Sequence, residues 1–172
     1  MGNHQTVPRL QDIPPFVGHS PEQERPLASY GLLMTAFWSA VAAFAAWFRG
    51  SGRDLPDRMS LGDMALIGTA THKTARLIAK DRVTSTLRAP FTEFQEDSGA
   101  GEVDEAARGR GLRRAIGELL VCPYCLNMWI AAAMTAGLLV APRATRWIAG
   151  LMSALFGADL LQIAYKKAED TL

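Results

Sequence analysis

The chain has 172 residues, 49% of them hydrophobic, and its formal net charge is +1 at pH 7. This length accommodates one or two domains, and a charge balance so close to zero gives no indication of nucleic acid or an acidic substrate as a partner. We therefore expect no nucleic-acid binding. The distribution of the apolar residues along the chain is more informative than the overall composition.

The N-terminal segment, residues 1–26, is rich in proline and lacks a basic stretch followed by an apolar one. It predicts a disordered tail and not a cleaved signal peptide. A nearly uncharged run follows, from Leu27 to Phe48. A helix needs roughly 20 apolar residues to cross the hydrocarbon core of a bilayer, so this run predicts the first membrane helix.

The stretch from Leu61 to Lys80 predicts an amphipathic helix. Ser60 and Asp63 have the spacing of a helix-capping pair, which marks its start. Polar side chains then recur every three or four positions and form one stripe, made of Thr69, His72, Lys73, Arg76 and Lys80. Two placements are open: the helix lies in the membrane interface, or it crosses the bilayer with the polar stripe turned into the bundle.

Residues 95–111 are acidic at first and basic afterwards, with glycines interspersed. This composition predicts a flexible, solvated loop. Arg110, Arg113 and Arg114 follow each other closely and predict a basic cluster that contacts anionic lipid.

The next uncharged run, Leu119 to Ala141, contains the only cysteines, Cys122 and Cys125, in the sequence CPYC. Glutaredoxins use this tetrapeptide, but they place it after a strand in an alternating strand-and-helix fold that this chain does not predict. Pro123 suits the first turn of a helix, where the Cys122 thiol would be acidified. Three roles stay open for the pair: packing, redox chemistry, and metal binding, for which His72 is a further candidate ligand.

The third uncharged run, Trp147 to Tyr165, contains one acidic residue, Asp159, and a polar tail, residues 166–172, follows it. An ionisable side chain inside a membrane helix needs a partner. If the amphipathic helix crosses, then His72, Lys73 or Arg76 supplies one. We therefore favour four spans over three, with Asp159 in a polar clamp between helices; ion or proton handling is the alternative.

The predicted fold class is all-α: a small integral membrane bundle of three to four membrane helices, one of them amphipathic. With four spans, both tails and the CPYC motif face the cytoplasm, and the distribution of Lys and Arg modestly agrees with this orientation. We expect a multi-pass protein of the inner (cytoplasmic) membrane. Thiols on its cytoplasmic face are expected to be reduced.

Two segments, ATHKTARLIAKDRVTSTLRAPF and LLVCPYCLNMW, together resemble the bacterial membrane proteins of domain-of-unknown-function family 1360. The resemblance covers about Leu61 to Leu161, within a predicted membrane domain of residues 61–165. It implies an integral membrane protein with the cysteines close to the membrane face, and it implies no particular activity. The positions that match the motifs are Arg76, Asp81, Arg88, Pro90, Cys122, Pro123, Cys125 and Trp129. Among these, Asp81 is expected to pair with Arg88 and to fix the exit from the amphipathic helix.

The sequence contains no Ser–His–acid grouping, phosphate loop or paired-carboxylate site that would indicate a hydrolase or a transferase. It favours a structural or interaction module without a cofactor, which anchors or scaffolds a partner. The expected partners are the lipid bilayer and either a second copy of the chain or another protein. The alternative function is a membrane thiol oxidoreductase or metal-binding protein that uses Cys122 and Cys125.

Overall fold

A computed structural model describes residues 10–19 and 25–171. Most of the predicted N-terminal tail lies outside the described residues, and its described part contains a short 3-10 turn, Leu10–Asp12. The remaining elements are α1 (Leu27–Gly50), α2 (Leu61–Lys80), α3 (Ser85–Arg88), β1 (Thr92–Gly99), β2 (Glu102–Ala107), α4 (Gly111–Leu120), α5 (Pro123–Val140) and α6 (Pro142–Glu169).

Three of these helices, α1, α5 and α6, are long and apolar enough to cross a membrane by length and composition. Most of their side chains are not buried inside the chain; for example, Trp38 is 59% exposed and Leu161 is 73% exposed. Exposed apolar surface on this scale indicates contact with lipid or with another protein. The third run is longer than the sequence indicates, because α6 already begins at Pro142, and proline fits the first position of a helix.

The predicted run from Leu119 to Ala141 is not one helix. Its first two residues belong to α4, and a break at Val121 and Cys122 precedes α5. Cys122 has extended backbone angles and is the N-cap of α5, with Pro123 in the first turn. Since proline has no backbone N–H, it starts a helix more readily than it continues one.

Helix α2 begins as its capping pair predicts: the backbone N–H of Asp63 donates to Oγ of Ser60 at 3.0 Å. It then lies against α5 and α6. The helix runs parallel to α6, because three side-chain hydrogen-bonded pairs join the two helices in the same order along each helix. These pairs are Asp63–Arg146, Thr69–Ser153 and Lys73–Asp159.

Helix α1 runs parallel to α5 in the same way. The Tyr30 hydroxyl donates to Glu118 just before α5, the rings of Phe37 and Trp129 are 5.1 Å apart, and Arg53 Nη1 donates to the Val140 carbonyl at 3.1 Å. Because α5 and α6 are joined by a tight connection and turn back on each other, α1 and α5 point one way and α2 and α6 the other. We call the end that carries the start of α5 and the end of α2 the capped end.

The fold is not purely α-helical, because β1 and β2 form a two-stranded antiparallel sheet at the capped end. The predicted flexible loop, residues 95–111, is largely this hairpin. Gly99 pairs with Glu102, so Ala100 and Gly101 form a two-residue turn, and both have positive φ values, 50° and 80°. This is the geometry that the strand twist favours in tight hairpins. Helix α4 packs on β2 and completes a folded cap, residues 81–122.

Candidate functional site

The basic stripe of α2 is neutralised by the acidic hairpin. Arg76 donates from Nε and Nη2 to the Glu102 carboxylate at 2.6 and 2.7 Å, and Lys80 donates to Asp104 at 2.6 Å. Alternate residues of a strand share one face, which is why both acids reach the same helix. Val103 between them faces the other way and is 2% exposed. A hydrogen bond from Lys80, and a second one from Ser98, lower the pKa of Asp104.

Of the three candidate partners of Asp159, Lys73 is the one that pairs with it: its Nζ lies 2.5 Å from Oδ2 of the acid. The Lys73 side chain is 17% exposed and that of Asp159 is 40% exposed. His72, the neighbouring candidate, instead packs edge-to-face on Phe156 of α6, with ring centres 5.3 Å apart. Arg76, the third candidate, is engaged with the hairpin. The geometry is that of a clamp between α2 and α6.

Arg88 is fully buried and connects α2, α3 and β2. Its guanidinium donates to both carboxylate oxygens of Glu105, at 3.1 and 2.9 Å, and to the backbone carbonyls of Ile78 and Asp81, at 2.6 and 3.0 Å. The expected Asp81–Arg88 ion pair is therefore wrong: Arg88 contacts only the main-chain oxygen of Asp81. The Asp81 carboxylate accepts from the N–H of Val83 at 2.8 Å and closes a local turn.

Glu105 is the counter-charge that sequence reasoning missed. Its side chain is 5% exposed. Burial by itself raises the pKa of Glu105, but hydrogen bonds from Arg88, Ser85 and Thr92 to the carboxylate outweigh burial, so the net pKa is lowered. The carboxylate is thus held in its charged form inside the cap. We call this arrangement the clasp, because Arg88, Ser85 and Thr92 all donate hydrogen bonds to the Glu105 carboxylate and so join α3 to β1 and β2.

The three arginines of the predicted basic cluster, Arg110, Arg113 and Arg114, do not share one environment. Arg113 donates to the Pro90 carbonyl at 2.8 and 2.7 Å, and Arg114 donates to Glu118 at 3.0 Å. Both side chains therefore hold parts of the cap together, whereas Arg110, just before α4, is exposed. Lipid contact by this group remains a prediction.

Cys122 and Cys125 form a disulfide. This contradicts the expectation of reduced thiols, and a bonded pair does not offer thiolate ligands to a metal. Among the residues that the structure describes, no group of three His, Cys, Asp or Glu side chains could hold a metal ion. His72 belongs to the helix contact described above.

The disulfide lines a cavity of about 540 Å³ that lies between α1, α4 and α5. Leu33, Met34, Leu119, Met128 and Trp129 supply much of its apolar wall. Its polar part consists of Tyr30, which donates to Glu118, and Arg25, which lies 3.6 Å from the same carboxylate. Trp129, one of the predicted motif positions, thus lines the same cavity as the disulfide and also packs against Phe37 of α1.

Sequence signals for part of this site were present. Gly99 and Gly101 indicate a turn, and the alternation of Glu102, Val103 and Asp104 predicts opposite faces of a strand. The partners of Tyr30 and Glu105 come from distant segments, and no local pattern indicates them.

The bundle defines the class of protein: a mostly helical chain whose three long apolar helices are compatible with a membrane protein. The family described as protein of unknown function (DUF1360) matches residues 66–165. The chain belongs to this family, of which bacterial members are known. It is similar to the sporulation protein YjcA of Bacillus subtilis, with 30% identity over 107 residues, which cover 60% of this chain and 91% of the relative. No solved structure matches the chain.

Proposed function

We propose that this chain is a four-span protein of the inner membrane, with its cap in the cytoplasm, and that it acts as an anchoring or interaction module. The single observation that carries the proposal is the parallel alignment of α2 with α6. Helix α2 has 20 residues, which at about 1.5 Å per residue corresponds to roughly 30 Å, the thickness of a hydrocarbon core. A helix that accompanies a membrane span over this distance crosses with it.

The polar composition of α2 is compatible with crossing, because its charged side chains have partners inside the protein. Lys73 is paired with α6, and Arg76 and Lys80 are paired with β2 at the capped end. On its buried face, Ala70, Ala75 and Ala79 are at most 1% exposed. Small side chains allow membrane helices to approach closely. Helix α2 therefore fits the centre of a bundle better than the membrane interface.

The distribution of positive charge supports the cytoplasmic orientation of the cap. The capped end carries Lys80, Arg82, Arg88, Arg108, Arg110, Arg113, Arg114, Lys166 and Lys167, whereas the opposite end carries Arg49, Arg53, Arg58, Arg143 and Arg146. Short loops with more Lys and Arg are retained in the cytoplasm.

An interaction role fits the acidic and basic groups of the cap better than acid–base catalysis, because these groups are used to hold the cap together. The cap also presents exposed apolar side chains, among them Val83 at 82%, Leu87 at 65% and Phe94 at 60%. Such side chains supply contact area for a second copy of the chain or for another protein. The name of the Bacillus relative connects that protein with sporulation; for this chain we propose only the membrane architecture and a partner at the cap.

Cysteine labelling tests the topology. In a background in which Cys122 and Cys125 are replaced with serine, single cysteines are introduced at three exposed positions: Asp57→Cys, Glu96→Cys and Asp170→Cys. A membrane-impermeant maleimide added to intact cells should label only position 57. After permeabilisation it should label all three.

The same experiment distinguishes four spans from three. If α2 lies in the interface, positions 57 and 96 are on the same side of the membrane. Both are then labelled from outside, or both are protected, and either result would refute the proposal. Labelling of position 96 but not of position 57 from outside would show that the cap lies outside the cytoplasm, opposite to the proposed orientation. Equal expression and detergent extraction of the three variants serve as the control for folding.

Photo-crosslinking tests the interaction role. A photoreactive amino acid replaces Leu87 on the cap, and in a matched control it replaces Leu161, which is exposed on α6. Position 87 should give a protein adduct in cells, of twice the chain mass if the partner is a second copy, whereas position 161 should not. Absence of any adduct from positions 83, 87 and 94 would refute a partner at the cap.

A further inference from the structure

The disulfide lies where a purely structural disulfide would not persist. It is at the capped end, which the proposed orientation places in the cytoplasm, and the further inference rests on that proposed function. Cytoplasmic thiols are kept reduced by the cell, and the disulfides that do form in that compartment are usually transient, catalytic or redox-sensing. An oxidised pair at this position needs an oxidant that re-forms it.

The local structure favours reversible chemistry at Cys122. This residue is the N-cap of α5, and its sulfur accepts the backbone N–H of Cys125 at 3.2 Å. In the reduced state, that N–H and the positive end of the helix dipole stabilise a thiolate on Cys122. Cys125 is one turn further along the helix and is exposed, so it is placed to form the bond with Cys122. The pair therefore has an attacking sulfur and a resolving sulfur.

The cavity beside the pair determines what kind of oxidant can reach it. Its apolar wall is contributed by α4 and by α1 and α5, both candidate membrane spans. A volume of about 540 Å³ is within the usual range for small-molecule sites and too small for a protein domain. Charged soluble cofactors are disfavoured by such walls, whereas an apolar ring compound dissolved in the bilayer fits them. Arg25 also lines the cavity, and its guanidinium has more N–H donors than its contact with Glu118 uses, so it can donate a hydrogen bond to a carbonyl oxygen.

We propose that Cys122 and Cys125 form a redox site that transfers two electrons to a membrane-dissolved quinone bound in this cavity. The Cys122 thiolate adds to a ring carbon of the quinone and forms a C–S bond. The Cys125 sulfur then attacks Cys122, the S–S bond forms, and the electron pair of the broken C–S bond moves to the ring. The quinone leaves as a quinol after it takes one proton from Cys125 and one from water.

The balance of this step is one thiolate, one thiol, one quinone and one proton giving one disulfide and one quinol. A cytoplasmic dithiol returns the site to its reduced form by thiol–disulfide exchange, in which its own two sulfurs become a disulfide.

Quinone oxidation of the purified full-length chain in detergent tests the proposal. The protein is reduced with dithiothreitol, desalted without oxygen, and mixed with a benzoquinone that carries methoxy, methyl and decyl substituents at all four ring carbons, so that stable arylation is avoided. Loss of quinone absorbance and loss of thiols are followed together. One quinone should be consumed for each cysteine pair, and Cys122→Ser and Cys125→Ser should each abolish the reaction.

Two controls isolate the contribution of the cavity. The peptide of residues 118–129 in the same micelles contains the dithiol without the cavity, and the intact chain should react at least about tenfold faster, as expected for a positioned reactant. Met34→Trp fills the cavity and should slow the reaction by a similar factor, whereas Leu161→Trp, on the exposed face of α6, should leave it unchanged.

Equal rates for chain and peptide, or no effect of Met34→Trp, would overturn the proposal. So would a disulfide that dithiothreitol does not reduce in the folded protein, since the pair would then be structural. These measurements are made in detergent and do not depend on topology. If quinone is not reduced but cysteine labelling gives the expected pattern, only the quinone site is refuted. If quinone is reduced but the labelling pattern differs from the expected one, only the proposed orientation is refuted.

Discussion

Replacing Glu105 with glutamine leaves the buried guanidinium of Arg88 without a counter-charge. In the intact protein, the carboxylate accepts hydrogen bonds from Arg88, Ser85 and Thr92 and is almost completely shielded from solvent. Breaking a buried ion pair by removing one partner costs about 3–5 kcal/mol. We take the lower end of this range, about 3 kcal/mol, because the glutamine amide still has one oxygen that accepts hydrogen bonds.

The effect should be local, because the clasp joins the hairpin to the ends of α2 and α3. Since every 1.4 kcal/mol is a factor of ten, the opening equilibrium of the cap should increase about a hundredfold. Amide hydrogen exchange of β1 and β2, measured by mass spectrometry in detergent, reports this opening. Exchange in α5 and α6 should change little.

The matched control is Asp97→Asn, which removes the ion pair between Asp97 of the same hairpin and Arg82 just after α2. Both of its side chains are more than half exposed, and pairs of this kind contribute little, so exchange should change less than about fivefold. Equal effects of Glu105→Gln and Asp97→Asn would refute the conclusion that burial makes the Arg88–Glu105 pair important for the cap.

The pH dependence of the cap follows from the lowered pKa of Glu105. For an acid whose folded-state pKa is lowered, the stabilisation is complete above the unfolded-state pKa, here about 4.5, and is lost as pH falls through the lower folded-state value. Protection of the hairpin, corrected for intrinsic exchange rates, should therefore be constant from neutral pH down to about 5 and fall below that. In Glu105→Gln this acid-dependent loss should be smaller; an unchanged acid profile would contradict the assignment.

Two further predictions concern packing and the helix clamp. A methyl group at Gly117 would lie 2.9 Å from Cβ of Ala107 and against the Phe91 carbonyl, so Gly117→Ala should destabilise the cap by about 1–3 kcal/mol in the same exchange assay, whereas Gly150→Ala, with open space around it, should be neutral or slightly stabilising. In the proposed membrane arrangement, Lys73→Met leaves Asp159 unpaired in a membrane helix, which costs about 2 kcal/mol or more, so the thermal midpoint in detergent should fall by roughly 4–8 °C. Adding Asp159→Leu to that variant should recover most of the loss; no recovery would show that the two side chains are not coupled.

The sequence predicted the elements whose signals are local. The apolar runs indicate α1, α5 and α6, and Ser60 with Asp63 marks the start of α2, because membrane length and helix capping are read from neighbouring residues. The polar spacing on α2 also predicted that a basic side chain would reach Asp159. Exact helix ends were less predictable, as the break before Cys122 demonstrates.

The cap could not be predicted in the same way, because its stability comes from pairs of distant residues. Apart from the turn glycines and the alternation at residues 102–104, residues 95–111 read alone have too many charges and glycines to indicate a folded segment. In the structure, Arg76, Lys80 and Arg88 neutralise Glu102, Asp104 and Glu105. The basic stripe of α2 presents the converse problem, since it lacks local partners. Each segment satisfies the charges of the other, and a search for complementary charge between segments would have been the useful signal.

This complementarity also has a consequence for the membrane. The paired charges near the end of α2 let a polar helix enter the bundle at little electrostatic cost, and the hairpin that neutralises them lies on the same side as α4 and the start of α5. The clasp at Arg88 and the disulfide therefore belong to one folded unit at one end of the bundle. In the proposed four-span arrangement, opening of the cap removes the partners of Arg76 and Lys80 together and exposes the end of α2 to lipid headgroups as a cationic segment. We expect the cap and the membrane placement of α2 to be coupled, so that variants which loosen the hairpin also weaken the contact between α2 and α6.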